Sequence, residues 1–540
     1  MKTRTSIYTL LTAGLLSLSS CVGDLDVLPL DETIVTTENA YSTPASYTQA
    51  LHKIYSAWAL SGQDDASNSD IQDMDAGKTV LIRALWTLQE QPTDEMKSSS
   101  SETFDPELNK ITWSTTKLDP IEGVYQRCMY IVALTNEFLK NIPNAPTEIE
   151  RKSYEAQARL NRALAYYILM DTFGRPPFIT EANYSLEPTQ LSRADLFKWI
   201  EEEINLIKND LPAARSQYGL ADQGTANALL ARMYLNAEVY TGTSRWNDCV
   251  TACEEVIKGG YELANTYRDL FRADNGENTD TNREIIFPVM FDGNETQSWA
   301  MAALVVGSRE APESPQEGVR TSGVESGWNT YRGTGQLVEL FDFADNNNRK
   351  ASEILDKRGI FIDTNRSIHI TSDPQKTFTT EGWAVYKFSN LNHDNTPGKN
   401  TLWCDTDFPM FRLGDVYLMY AEATARGASN GNIQTAISRI KALRERGYGA
   451  GNDPETINEA WMKADNYRNI LDERGRELYW EGVRRTDLIR FNLFTSSQYV
   501  WDFKGGVANG TEVNKRYNLY PIPVSDITVN TKLEQNEGYK

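Results

Sequence analysis

Two tryptophans stand in stretches rich in Gly, Ser and Thr: Trp299 in Gln297-Ser298-Trp299 and Trp328 in Gly327-Trp328. Indole faces among hydroxyl and amide groups can stack on the flat apolar faces of sugars, while polar neighbours pair with the sugar hydroxyls. The plainer role for a loop tryptophan is to cap the core. A second group is acidic, with Asp274 in Asp274-Asn275-Gly276-Glu277-Asn278 and Asp405 and Asp407 in Asp405-Thr406-Asp407. Hard oxygen ligands of this kind suit Ca²⁺, and the same residues also make ordinary solvated turns. The usual constellations of catalysis are missing. The three histidines, His52, His369 and His393, show no His-x-x-x-His metal spacing. There is no Gly-x-Ser-x-Gly elbow, and Gly333-Thr334-Gly335 lacks the third glycine of a phosphate loop. A carboxylate pair for glycoside hydrolysis cannot be singled out among 75 acidic residues.

Such groups need a scaffold, and the strongest periodic signals are helical. Ala156, Leu160, Ala163, Leu164 and Tyr167 share one apolar helix face. Leu229, Leu230, Met233, Tyr234 and Ala237 do the same. Cys249, Ala252, Cys253, Val256 and Ile257 form the partner helix across the turn-like Thr241-Gly242-Thr243-Ser244. Phe411 to Gly427 and Asn432 to Gly447 read as another pair, with both glycines as helix stops. Small residues alternating with large ones in paired helices resemble degenerate tetratricopeptide repeats.

Between these blocks, roughly residues 60–120 and 265–405, the helical period is lost and Gly, Asn, Asp and Ser become frequent. Short β-prone runs such as Ile285-Ile286-Phe287-Pro288-Val289 occur there. Long irregular segments are usually functional or disordered, and their tryptophans and tyrosines argue against disorder. The expectation is a mainly α protein: a tetratricopeptide-like helix-pair scaffold carrying a long, irregular, loop-rich ligand-binding face. With no linker or low-complexity run to divide it, residues 21–540 read as one domain.

Residues 1–20 read as a secretory signal. Lys2 and Arg4 precede an apolar run from Ile7 to Leu18, which is too short to span a bilayer. It ends Leu18-Ser19-Ser20-Cys21, resembling a lipoprotein processing site with Cys21 as the acylated first residue. Removing Lys2 and Arg4 leaves 52 basic against 75 acidic residues. That balance argues against nucleic acid or an anionic lipid surface as partner. Cys249 and Cys253 are poorly placed to bridge one another. Most of Cys128, Cys249, Cys253 and Cys404 read as buried small hydrophobes.

Three ordered motifs complete the reading. The first is Phe408-Pro409-Met410-Phe411-Arg412 running into a helix that contains Leu418, Ala421, Glu422 and Ala423. The second is Arg474 through Glu477, Leu478, Glu481, Gly482, Arg484, Asp487 and Arg490 to Phe491, read as one helix. The third is the tail Tyr517-Asn518-Leu519-Tyr520-Pro521-Ile522-Pro523, then Asn530, and finally Asn536 and Tyr539. Together they resemble the SusD/RagB family of surface glycan-binding lipoproteins, and within it the starch-binding type. The resemblance implies a non-catalytic outer-membrane lipoprotein at the cell surface. It would capture oligosaccharides, an α-glucan by preference, and pass them to a TonB-dependent barrel transporter on which it sits as a lid, with no cofactor required.

Residue by residue, the resemblance puts Trp299 and Trp328 at two aromatics of a sugar-cradling arc, and Asp75 and Arg83 at polar sugar contacts. It puts Asp405 and Asp407 at a calcium site, where Gly276 replaces an acidic residue of the first loop; Asp274, in that same loop, is a further candidate ligand from its residue type alone. The chain departs from the pattern after Pro92-Thr93-Asp94-Glu95. Met96-Lys97-Ser98-Ser99-Ser100-Ser101 follows, with no aromatic before Phe104. Either Phe104 substitutes through another loop path or the arc keeps two platforms. The rival readings are a transporter lid with peptide or other cargo, and a surface glycosidase.

Overall fold

The computed structural model describes residues 40–309, 322–373 and 380–539. The signal segment and Cys21 lie outside the described residues. Helices dominate in the order α1 (Pro44–Ala59), α2 (Leu81–Glu90), α3 (Asp119–Asn141), α4 (Arg151–Phe173), α5 (Arg193–Ile207), α6 (Gln223–Leu235), α7 (Trp246–Lys258), α8 (Trp299–Val306), α9 (Leu413–Ala425), α10 (Ile433–Tyr448), α11 (Glu459–Leu478) and α12 (Arg484–Arg490). Side-chain caps fix their starts. Thr43 and Ser46 close a capping box on α1, Asp222 and Thr225 one on α6, and Ser192, Asn432 and Asn458 cap α5, α10 and α11.

Neighbours along the chain pack against each other, α3 on α4, α4 on α5, α6 on α7 and α9 on α10, and α9 also packs on the more distant α7. This is the expected stack of helix pairs. The periodic residues of α4, α6 and α7 are its contact faces, and one continuous set of buried side chains runs from Tyr47 to Tyr539. Cys128, Cys249, Cys253 and Cys404 are free and buried.

Four local expectations need correction. First, the two stretches read as irregular contain α2 and α8. Every residue of α2 is buried, as is everything in α8 after Trp299. Helix α8 is apolar throughout and has no period to detect, whereas α2 places polar Arg83, Thr87 and Glu90 at helical spacing in a run of only ten residues. Second, Phe411 and Arg412 belong to a strand, Phe408–Arg412, that pairs antiparallel with Ile285–Val289, and α9 starts only at Leu413. Third, Gly447 lies inside α10, with Asp356 and Arg358 packed against the face where a side chain would project. The stop is Gly449, at φ 86°, while Gly427 at φ 109° follows α9 as expected. Fourth, the motif from Arg474 to Phe491 is two helices. They break at Tyr479–Val483, where Trp480 (φ 64°) and Gly482 (φ 74°) take the left-handed conformation.

The motifs meet in the core. Arg412 pairs with Glu284, Glu477 and Glu481, Arg358 with Asp356, Glu473 and Glu477, and Arg446 with Glu284 and Glu477. The carboxy-terminal tail is pinned rather than frayed. Trp113 Nε1 donates to Tyr539 Oη at 2.7 Å, Tyr520 Oη donates to the Leu88 carbonyl, and Asn536 Nδ2 bridges the carbonyls of Phe173 and Tyr520.

Candidate functional site

Three elements converge on one open cleft of about 580 Å³. The first is the turn that precedes α2. Asp75 Oδ1 accepts the backbone N–H of Gly77 (2.9 Å) and of Lys78 (2.8 Å), which closes the turn and leaves Oδ2 as a free acceptor. Lys78 Nζ stands 4.0 Å from that Oδ2 and 2.8 Å from Glu102 Oε2. The Glu102 carboxylate beside it raises the Lys78 ammonium above its ordinary value. Arg83, in the first turn of α2, is buried and donates from Nη1 to the Gly77 carbonyl at 3.1 Å.

The second element is α8. Its N-cap Ser298 accepts from the Ala300 N–H and donates to the Ala59 carbonyl at 2.6 Å, tying the start of α8 to the end of α1. Trp299 is therefore the first residue of a helix, not a loop residue as the sequence suggests. Gly77 lets it approach: a Cβ there would sit 3.3 Å from Trp299 Cδ1. The third element is the segment 328–333. Trp328 N–H donates to the Val306 carbonyl, and the N–H groups of Thr330 and Tyr331 donate to that of Gly307, so this segment hangs from the end of α8. It continues as a strand, Tyr331–Gly333, paired with Met96–Ser98.

The aromatic surface follows from this frame. The Trp299 and Trp328 rings lie 6.1 Å apart with their planes tilted by 31°. The Arg83 guanidinium sits 5.2 Å from the Trp328 ring centroid, a cation–π contact that fixes both groups. Asp75, Arg83, Trp299 and Trp328, up to 253 residues apart in sequence, thus line a single cavity. Phe104 does not join them. It is buried in the core at the start of a short helix, Asp105–Lys110. Ser99, Ser100 and Ser101 line that side of the cleft instead, with Tyr331 edge-on to Trp328.

Sequence reasoning missed Lys78 and Glu102, and it missed Trp403, whose ring meets Trp299 edge-on at 4.8 Å and 75°. The position of Trp403, two residues before Asp405, is the only signal that could have pointed to it.

The acidic residues gather elsewhere, around a cavity of about 220 Å³ lined by Asp274, Glu277, Lys399, Asp405 and Asp407. Asp405 accepts the N–H groups of Gly293 and Lys399. Asp407 accepts the Phe291 N–H and the Tyr218 hydroxyl. Burial, with Asp405 and Glu277 nearby, pushes the Asp407 carboxyl up to about 7, and burial also raises Asp405. Gly276 supplies room, since a Cβ there would meet Asp407 Oδ2 at 2.5 Å. Excess buried negative charge and a cradle without a side chain fit a hard cation. Asp274 fits less well, because both its oxygens are engaged by the backbone and ring of His393. Among the described residues no three His, Cys, Asp or Glu side chains form a ready-made metal cluster, so carbonyl and water oxygens would complete any shell.

Comparison with known proteins agrees with this architecture. A family model described as "SusD family" matches residues 283–539, and one described as "Starch-binding associating with outer membrane" matches residues 69–235. The starch-binding protein SusD of Bacteroides thetaiotaomicron is 32% identical over 566 aligned residues, covering 97% of this chain and 96% of its own. A SusD superfamily protein from Parabacteroides distasonis superposes with a TM-score of 0.69 at 20% identity, over 94% of this chain and 100% of its own. The surface glycan-binding protein A from Bacteroides thetaiotaomicron, solved in complex with laminarihexaose, gives a TM-score of 0.66 at 17% identity, over 92% and 100%. At these identities the two structures speak for the fold alone. With a relative one-third identical along nearly its whole length, the chain belongs to the SusD family.

Proposed function

We propose that this protein is a non-catalytic surface glycan-binding lipoprotein that captures oligosaccharides, α-glucans by preference, at the Trp299–Trp328 cleft. One observation carries the reading: two polar and two aromatic residues, chosen from distant parts of the sequence, line one open cavity. In the binding step each indole would stack on one pyranose face, worth about 0.5–1.5 kcal/mol beyond area burial. Asp75 Oδ2 would accept from sugar hydroxyls, and Arg83 would donate from the floor. The 31° tilt between neighbouring platforms suits a chain that curves, as α-linked glucose chains do, over a flat ribbon. The named starch-binding relative supports the same sugar.

The wider role rests on family resemblance. Anchored through Cys21 in the outer membrane, the protein would cover a TonB-dependent barrel with its helix-pair surface and release sugar into it. Hydrolysis would be left to other proteins. An affinity-gel panel of starch, dextran, laminarin, fructans and plant glycans tests the sugar. Retardation by α-glucans with no release of reducing ends is expected, and retardation by none of the gels would sink the reading. For the anchor, Cys21→Ala is expected to abolish labelling by a fatty-acid analogue and to free the protein from the membrane fraction. A wild type that never labels counts against lipidation.

A calcium ion at Asp405 and Asp407 is part of the proposal, as a structural ion that neutralises their charge. Chelation should lower the melting midpoint by a few degrees and added Ca²⁺ should restore it, because a ligand at 100 times its Kd stabilises by about 2.7 kcal/mol. Identical midpoints with chelator and with millimolar Ca²⁺ would remove the ion from the account.

A further inference from the structure

The charges around the cleft are balanced within it. Two cations, Lys78 and Arg83, and two carboxylates, Asp75 and Glu102, line the cavity. Lys78 is bonded to Glu102 at 2.8 Å, with the two side chains 30% and 27% exposed, so the pair forms part of the cleft wall. Arg83 is buried against the Gly77 carbonyl and the Trp328 ring. The Asp75 side chain is the most open of the four, at 46%. A carboxylate or sulfate on an incoming glycan therefore meets an exposed Asp75 and an ammonium already bonded to a carboxylate. It also approaches a chain of formal net charge −21, whose field repels anions. To reach Lys78 it must displace Glu102 and leave that carboxylate beside its own charge. Neutral hydroxyls meet none of these obstacles, and the Ser99–Ser101 wall offers them uncharged partners.

We infer that the Lys78–Glu102 ion pair is a specificity determinant that closes this cleft to acidic polysaccharides, uronate-bearing or sulfated, and reserves it for neutral glycans. The inference rests on the glycan-binding reading above. The pair also bridges the Asp75–Lys78 turn to the segment that carries the serine wall, so one contact sets both the charge of the site and the position of its uncharged side.

Isothermal titration with soluble starch and laminarin, each native and carboxymethylated, tests this on a constant backbone. The wild type is expected to bind a native glycan at least tenfold more tightly than its carboxymethylated form, with the gap shrinking as salt screens the charges. Glu102→Gln frees the ammonium and should narrow that ratio about tenfold. Lys78→Met removes it and should widen the ratio. Equal affinities for native and carboxymethylated forms in the wild type would overturn the inference, as would an unchanged ratio in Glu102→Gln with a normal thermal melt. If Glu102→Gln does not fold, Lys78→Met carries the test, and an unchanged ratio there overturns it equally. A wild type that binds no neutral glycan is a different failure: it sinks the functional reading and this inference with it.

Discussion

Replacing Trp299 and Trp328 together by alanine is expected to weaken glycan affinity by a hundredfold or more while the protein stays folded. Each single replacement should cost about 1–2 kcal/mol, roughly five- to thirtyfold, through lost stacking and lost apolar contact. The two effects should not add simply, because the ring centroids lie only 6.1 Å apart in one cavity. Asp75→Ala and Arg83→Ala should each cost a similar amount through lost charge-assisted hydrogen bonds. The structure sharpens what to expect of stability. Trp299 opens α8 and is braced by Trp403, so Trp299→Ala should lower the melting midpoint by a few degrees, more than Trp328→Ala. Titration beside a melt separates the roles. Lower midpoints with unchanged affinities would make both rings core caps and void the site.

The second large effect lies in the core. Glu477 is buried and accepts from Arg412, Arg358 and Arg446. Glu477→Ala takes one carboxylate from three buried guanidinium groups, which keep Glu284, Glu481, Asp356 and Glu473 but are left with excess positive charge, a loss of about 3–5 kcal/mol by analogy with other broken buried pairs. Denaturant unfolding of the mutant measures it, and a loss under 1 kcal/mol would show that the network is slack. The same pairs govern acid stability. Burial alone would raise these carboxyls, but the arginines outweigh it. Arg490 and Arg426 hold Glu422 at about 2, Arg358 and Arg476 hold Glu473 at about 2, and Arg474 and Arg232 hold Asp415 at about 2, with Glu477 also well below the usual range.

A carboxyl whose folded value is depressed binds fewer protons folded than unfolded. Its contribution is therefore complete above the unfolded value near 4 and is lost as pH falls toward 2. Circular dichroism from pH 6 to pH 2 should show one cooperative loss of structure in that window. Full ellipticity and an unchanged melting midpoint at pH 2 would contradict the pairing.

How much of this was legible beforehand depended on exposure. Helices α7 and α10 could be read because each keeps one wet face, which writes a 3.6-residue period into the sequence, while α4, α6 and α9 are buried over most of their surface and show their period through small and large residues alternating at helical spacing. The tail could be read because prolines, aromatics and asparagines at a chain end are unusual unless each has a place, and Tyr520, Asn536 and Tyr539 do. Helix α8, apolar throughout, left no such trace, and α2 sets its polar Arg83, Thr87 and Glu90 at helical spacing within only ten residues; these two elements carry Trp299 and Arg83.

Local signals also misplaced boundaries. Gly447 is a glycine because neighbours press on its face, while the left-handed stop falls at Gly449. The cleft itself is a product of tertiary structure. Asp75, Arg83, Trp299 and Trp328 were nominated one at a time, and only the folded chain, through Ser298 bonded to Ala59 and Trp328 hung from Val306, brings them to one cavity. The Lys78–Glu102 pair joins residues 24 positions apart, the edge contact of Trp403 joins residues 104 apart, and the serine wall is held to Thr330 from 231 positions away. Composition and spacing record which groups a chain owns. Which of them meet is fixed by long-range packing, and that packing decided the charge, shape and selectivity proposed for this site.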